Sequence, residues 1–333
     1  MIAKLLKSAP WLAVLAALVA SQDATLETCA VDASGISSCA GKAALSLEIG
    51  VGCKPKRSRH VAKVAYSDTA KNCGEDAFYV SSASDAMYMS FGVADGVGGW
   101  TESGVDPSAF SLALVEGSKS SFEATPRPHP LSLMQDGFAH VKEGGDANPG
   151  GSTAVFLVLD RTTGRLDTAN LGDSGYLIIR NGRVIFRSVE QTWAFNAPYQ
   201  LALYPSWMQA PDVDPYPPEK AFLTHHTVEA GDVIVVGSDG LFDNVFDNEI
   251  LDEANRFLRP LFKSSSDAPS PAALHQAMID LSYSLTLMAN AFAHDESRDS
   301  PFSKLAREGY GYQFSGGKVD DTTVMAIYVH RSA

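Results

Sequence analysis

The stretch MYMSFGVADGVGGW, residues 87–100, carries the reading of this chain. Residues 87–94 form a short apolar run of strand length. Asp95 stands where that strand ends, and Gly96, Gly98 and Gly99 follow it. Glycine tolerates backbone angles closed to other residues, so a main-chain carbonyl can turn the same way as the Asp95 carboxylate. An isolated Asp-Gly after a strand is an ordinary turn, so the weight rests on what surrounds it.

Three more acidic positions occupy strand ends. Glu75-Asp76 precede the apolar run 77–80, Asp239 follows VIVVGS (233–238), and Asp320-Asp321 precede TTVMAIYV (322–329). Further strand signals lie at 152–159, 166–170, 176–180, 183–186 and 221–226, with Asn181-Gly182 and Thr163-Gly164 as tight turns. Strands joined so closely must run antiparallel. The exit of one strand and the entry of its neighbour then share a rim, and the scattered carboxylates can meet there. Helical patterns occupy 107–119, 130–142, 248–257 and 271–292. The expected class is α+β, mainly antiparallel sheet covered by helices.

Carboxylates gathered at one rim repel each other unless a cation lies between them, and hard divalent cations prefer oxygen ligands. No HExxH segment is present, and the four cysteines (29, 39, 53, 73) are spaced too widely for a zinc pattern. Two Mg²⁺ or Mn²⁺ ions fit this donor set better than zinc. Such a pair lowers the pKa of bound water and neutralises phosphoryl oxygens, which implies hydrolysis without a covalent intermediate. The cysteines would suit two disulfides in any of three connectivities, or four free thiols.

Six motifs in order resemble the metal-dependent, type 2C, serine/threonine protein phosphatases: GEDA (74–77), DGVGGW (95–100), GGSTA (150–154), LGDSG (171–175), SDGLFD (238–243) and DDTTV (320–324). DGVGGW, FNAPYQL (195–201) and SPF (300–302) resemble the branch with mitochondrial members. The resemblance implies two packed antiparallel sheets flanked by helices, a four-layer αββα sandwich. It implies that Asp95 bridges two cations, that Gly96 offers its carbonyl to one, and that Asp239 and Asp320 complete the second site. Asp76 would belong to the metal site and orient metal-bound water as the catalytic residue, and Asp321 would stand behind the ligands. The sequence departs from the family twice. Val97 replaces a frequent histidine after Asp-Gly, and Lys71 is the nearest basic group where an arginine commonly binds phosphate; it would act as a point charge. A phosphorylated protein is the expected substrate. The alternative is a catalytically weak or inactive relative that binds phosphoproteins.

GDSG (172–175) also occurs around the nucleophile of trypsin-like proteases, but no segment supplies the histidine context of a triad. That leaves Gly172 and Gly175 as turn glycines and Asp173 as a loop cap. The net charge of −13 and pI near 5.0 disfavour nucleic acid as a partner. A monomer is expected.

Residues 1–21 join two lysines to an apolar run (9–20), a layout of a secretory signal peptide, with mitochondrial targeting as the competing reading. The run is too short for a membrane span. Residues 22–60, rich in Ser, Ala and Gly and ending in the basic run 54–59, read as a poorly ordered linker, and 61–333 as the catalytic domain. The aromatic and proline-rich segment 191–219 has no steady period; it reads as a self-packed loop or a substrate-docking flap.

Overall fold

Strand β16 (Val233–Gly237) is buried at every residue, so it must be covered on both faces. Its side chains alternate accordingly: Ile234 and Val236 enter one apolar cluster, Val233 and Val235 another. The same split runs through the domain and defines its layers. The computed structural model describes residues 44–57, 62–64, 73–82, 87–125, 128–210, 216–262 and 268–332, with a short backbone pair, β1 (Ala30–Val31) and β2 (Ser37–Ser38). That pair lies in a separate unit, Met1–Lys42; all else concerns the unit Ala43–Ala333.

One antiparallel sheet has six strands in the order β11 (Arg183–Arg187), β10 (Gly175–Arg180), β16, β17 (Thr322–Arg331), β3 (Leu45–Lys54) and β4 (Ala62–Val64). The other has five, β15 (Phe222–Thr227), β9 (Arg165–Leu171), β8 (Ala154–Asp160), β6 (Tyr88–Asp95) and β5 (Asp76–Ser82). Between them lies a core that includes Val51, Phe78, Phe91, Leu157, Tyr176, Val236 and Ile327. Outside the six-stranded sheet, α5 (Pro271–Ala293) and α4 (Asp247–Leu258) pack through Met278, Leu281, Leu285 and Ile250. Outside the five-stranded sheet, α1 (Ser108–Ala124) and α2 (Pro130–Gly144) pack through Phe110, Leu114, Met134 and Phe138. This is the four-layer αββα sandwich expected from the sequence.

Most sequence-level elements fall in place. Asn181 and Gly182 take positive φ (51° and 71°) at the β10–β11 hairpin, as an Asn-Gly turn requires. The linker expectation needs correction, because residues 45–54 form the ten-residue β3, paired with β17 along its whole length. Its glycines look like linker composition but have a packing cause. A Cβ on Gly50 would stand 2.2 Å from the Met278 backbone, and one on Gly52 would stand 2.8 Å from Ser282 O. Glycine here lets α5 lie against the strand.

The catalytic domain therefore begins by Leu45. Cys53, at the end of β3, forms a disulfide with Cys73, while Cys29 and Cys39 lie outside the described residues. Segment 191–219 contains β12 (Thr192–Ala194), paired with β13 (Ala197–Pro198), and β14 (Leu201–Leu203), which pairs with β7 (Gly150–Ser152) outside it. Phe195 at its tip packs against Phe302 of α6 (Pro301–Tyr310), ring centroids 4.9 Å apart. Among the described residues no helix is long and apolar enough to cross a membrane.

Candidate metal centre

Both sheets end at one rim. In the five-stranded sheet Asp76, first in β5, is the register partner of Asp95, last in β6. In the six-stranded sheet β16 leaves through Ser238 into the short helix α3 (Asp239–Phe242), and β17 enters after Asp320-Asp321. Ser238 joins the sheets: its hydroxyl donates to Asp76 Oδ2 at 2.8 Å and accepts from the Thr323 N–H at 3.0 Å.

The Asp95-Gly96 turn is fixed from several sides. Ser152 Oγ and Thr153 N–H both donate to the Asp95 carbonyl at 2.9 Å, and Gly96 N–H donates to Glu75 O at 3.0 Å. A Cβ on Gly96 would meet Glu75 O at 2.7 Å and Pro107 O at 2.9 Å, so only glycine fits without displacement. Asp321 faces inward, taking the N–H of Lys56 at 2.6 Å and that of Glu75 at 2.8 Å. Gly74 lies against that carboxylate with φ +80°, which again favours glycine.

Of the expected ligands, Asp76, Asp95, Gly96, Asp239 and Asp320 are all at this rim, and Asp321 stands behind them as a backbone clamp. Lys71 lies outside the described residues. Val97 offers no titratable group and donates its N–H to Gly151 O at 2.9 Å. The sequence reading missed Asp173, Asp243, Lys56 and Lys318. Asp173, read as a loop cap, is buried, with the charges of Asp239, Lys318 and Asp243 acting on it. Lys318 Nζ contacts Asp239, Asp243 (2.9 Å) and Asp320 (3.3 Å). Lys56 Nζ contacts Glu75 (2.8 Å) and Asp320 (3.3 Å).

The electrostatics are those of a crowded acidic pocket. Burial, then repulsion from Asp321, holds the Asp76 carboxyl well above the usual range, against the pull of Thr323 and Ser238. Asp95 rises through burial and the charges of Asp76, Asp239, Asp320 and Asp173. Burial lifts Asp243 to about 7 despite Lys318. For Lys318 burial opposes the charge, yet Asp239, Asp243, Asp320 and Asp173 outweigh it and raise its pKa. One oxygen each of Asp76, Asp173 and Asp239 is buried without a hydrogen-bond partner. Orphaned anionic oxygens are costly, and hard cations satisfy them. Among the described residues no three metal-binding side chains form a group that grips an ion as they stand; the two lysines lie among the carboxylates instead. The donor set, all carboxylate and carbonyl oxygen, fits divalent cations of the magnesium type.

A double antiparallel sandwich with acidic residues meeting at one rim defines the class of metal-dependent, type 2C phosphatases. The chain belongs to this family: the family model described as Stage II sporulation protein E (SpoIIE) matches residues 85–295. It is 35% identical over 277 residues to the 5-azacytidine resistance protein azr1 of Schizosaccharomyces pombe, covering 82% of this chain and 87% of that one. It is 36% identical over 259 residues to the protein phosphatase PTC7 homolog of Homo sapiens, covering 77% and 79%. The solved structure of the photosystem II phosphatase PBCP matches with a TM-score of 0.63 and 29% identity, covering 85% of this chain and 98% of that one. The chain is thus a metal-dependent serine/threonine protein phosphatase, with phosphoproteins as its substrates.

Proposed function

We propose that the rim hydrolyses phosphoserine and phosphothreonine through two Mg²⁺ or Mn²⁺ ions held by Asp95, the Gly96 carbonyl, Asp239 and Asp320. The observation that carries this is the set of unpartnered buried oxygens on Asp76, Asp173 and Asp239 in a pocket of mutually repelling carboxylates. When bound, the ions supply a water-derived nucleophile at neutral pH and neutralise charge on the phosphoryl group. The chain's own part is positioning. Ser238 fixes one oxygen of Asp76, leaving the other to orient the attacking water and take its proton. Asp321 locks the segments that carry Lys56 and Glu75 to the edge of the site. Water adds to phosphorus, the serine or threonine oxygen leaves, and that oxygen takes its proton from solvent, since Val97 has none to give.

Phosphopeptide hydrolysis with and without Mn²⁺ or Mg²⁺ tests this. Strict metal dependence is expected, with a loss of at least about 10²-fold for Asp239→Asn, the scale for removing one element of a preorganised electrostatic site. Metal-independent turnover would overturn the reading.

The buried Cys53–Cys73 disulfide supports a disulfide-permissive compartment, in line with a secretory leader. N-terminal sequencing of the protein from its own cells separates cleavage near Ala20 from a mitochondrial cut nearer the basic run.

A further inference from the structure

On one side of the sandwich both sheets end, β15 being the last strand of the five-stranded sheet and β11 of the six-stranded one. Tyr176 of β10 ties them there, its hydroxyl 2.7 Å from Thr224 Oγ1 and 2.8 Å from His226 Nε2 on β15. Beside that tie is a cavity of about 250 Å³, walled by Tyr176 and Phe186 of one sheet, by Asn170, Phe222 and Thr224 of the other, and by Val189 just after β11. None of these side chains serves the metal centre.

The wall is largely aromatic and aliphatic, with one unmet polar demand. Asn170 is 3% exposed; its Nδ2 donates to Val189 O at 3.4 Å, and its Oδ1 has no partner. A buried acceptor without a donor is costly, so a ligand that brings one N–H into this apolar space removes that cost. Size narrows the choice. A dry cavity of about 150 Å³ holds benzene, and this one has room for a two-ring group. Among side chains tryptophan joins a large apolar ring system to a single N–H donor and has no acceptor of its own.

The edge beside the cavity says what carries the ring. Among the described residues β15 is paired only with β9, and its sequence FLTHHT holds neither the lysine nor the proline that usually guards an open edge. Phe222 is 48% exposed and Val189 65%. An extended polypeptide pairs with such an edge through its main chain while its side chain fills the pocket, which a lipid or a free aromatic molecule does not do. The edge also leads to the metal centre. Val189 continues into Glu190, whose carboxyl is held above its usual range by burial first, with Asp239 among the charges acting on it. Asn170 is three residues before Asp173, so their Cα atoms are at most about 11 Å apart.

We propose that this cavity is a specificity pocket for a tryptophan of the phosphoprotein substrate, carried on a segment extended along β15, with the indole N–H on Asn170 Oδ1. At about 3.3 Å per extended residue, the tryptophan falls about three to five residues from the phosphorylated one. The inference rests on the metal centre proposed above and names the substrate that this centre favours.

The test uses the full chain and phosphothreonine peptides in which a single tryptophan, leucine or serine is walked along both sides of the phosphorylated residue. Para-nitrophenyl phosphate, which is too small to span pocket and metal centre, is the control. At one position tryptophan should raise kcat/KM roughly ten- to hundredfold over serine, the span for burying one large apolar side chain. Phe222→Ser, at a half-exposed position that does not threaten the fold, should flatten the preference. Asn170→Leu puts an apolar group where the orphaned oxygen stands, and should make the leucine peptide as good as the tryptophan one. Both variants should turn over para-nitrophenyl phosphate with Mn²⁺ as wild type does. A wild-type enzyme indifferent to tryptophan at every position, or a preference that survives Phe222→Ser, overturns the proposal. So does a dimer in sedimentation that Phe222→Ser abolishes without any tryptophan preference, since the edge then belongs to a second copy. A wild-type protein with no metal-dependent turnover of para-nitrophenyl phosphate overturns the metal centre instead, and calorimetric binding of the same peptides then decides the pocket.

Discussion

Ser238 and Asp76, 162 residues apart in sequence, meet at 2.8 Å and join the two sheets at the rim where the ligands gather. The hydroxyl is buried and serves two neighbours, so nothing else replaces it.

Ser238→Ala should therefore remove the hydrogen bond to Asp76 Oδ2 and leave the Thr323 N–H unsatisfied. Metal affinity is expected to fall about 10- to 100-fold, the usual cost of removing a partner that orients a metal-site carboxylate. Mn²⁺ titration by calorimetry measures this; an affinity equal to wild type would show that the hydroxyl does not hold Asp76.

Metal-free protein should lose stability as pH rises. The carboxyls of Asp76, Asp95, Asp173 and Asp243 all have folded pKa values above their ordinary one, through burial first and neighbouring charge second, with Asp243 at about 7. The folded state then binds more protons than the unfolded chain, so the Asp243 contribution is complete below about pH 4 and disappears as pH climbs through 7, and the other three carboxyls act in the same direction. His226, lowered by burial, works the other way over part of this window. In EDTA the Tm should fall between pH 5 and pH 8 by this reckoning, and saturating Mn²⁺ should shrink or reverse the slope. A metal-free Tm that climbs across that range would contradict the picture.

The sequence made the rim legible because Asp76, Asp95, Asp239 and Asp320 each stand at the end of a strongly apolar strand, where antiparallel geometry leaves few other places for them. The lysines were hidden for a physical reason. Lys56 belongs to a basic run that has the composition of solvated surface, and Lys318 lies in a loop whose path follows from tertiary packing alone. Strand β3 was hidden by Gly50 and Gly52, whose missing side chains reflect the nearness of α5 rather than disorder. Helix α6 escaped notice because only ten residues long and half polar, it is held by Phe195 and by a Ser300 capping box more than by periodicity.

The Cys53–Cys73 bridge closes a loop with a sequence separation of 20, on which chain-entropy arguments place about 3 kcal/mol. Cys73→Ala, or reduction with a dithiol under partial denaturation, should lower unfolding stability by that order. It should also weaken Mn²⁺ binding, since the bridged segments carry Lys56, Glu75 and Asp76. Chemical unfolding with and without reductant checks the first expectation; a midpoint unaffected by reductant would mean that the bridge contributes nothing.

Gly50→Ala tests the packing that misled the sequence reading. The new methyl would be placed 2.2 Å from the Met278 carbonyl carbon and oxygen and 2.3 Å from Ile279 N, all main-chain atoms of α5 that no side-chain rotation can move aside. Relief requires α5 to lift from the sheet, at the expense of contacts made by Met278, Leu281 and Leu285. Overpacking of this kind costs about 1–3 kcal/mol and more where backbone must shift, so a loss near the upper end is expected. A variant as stable as wild type would mean that α5 does not lie against this strand.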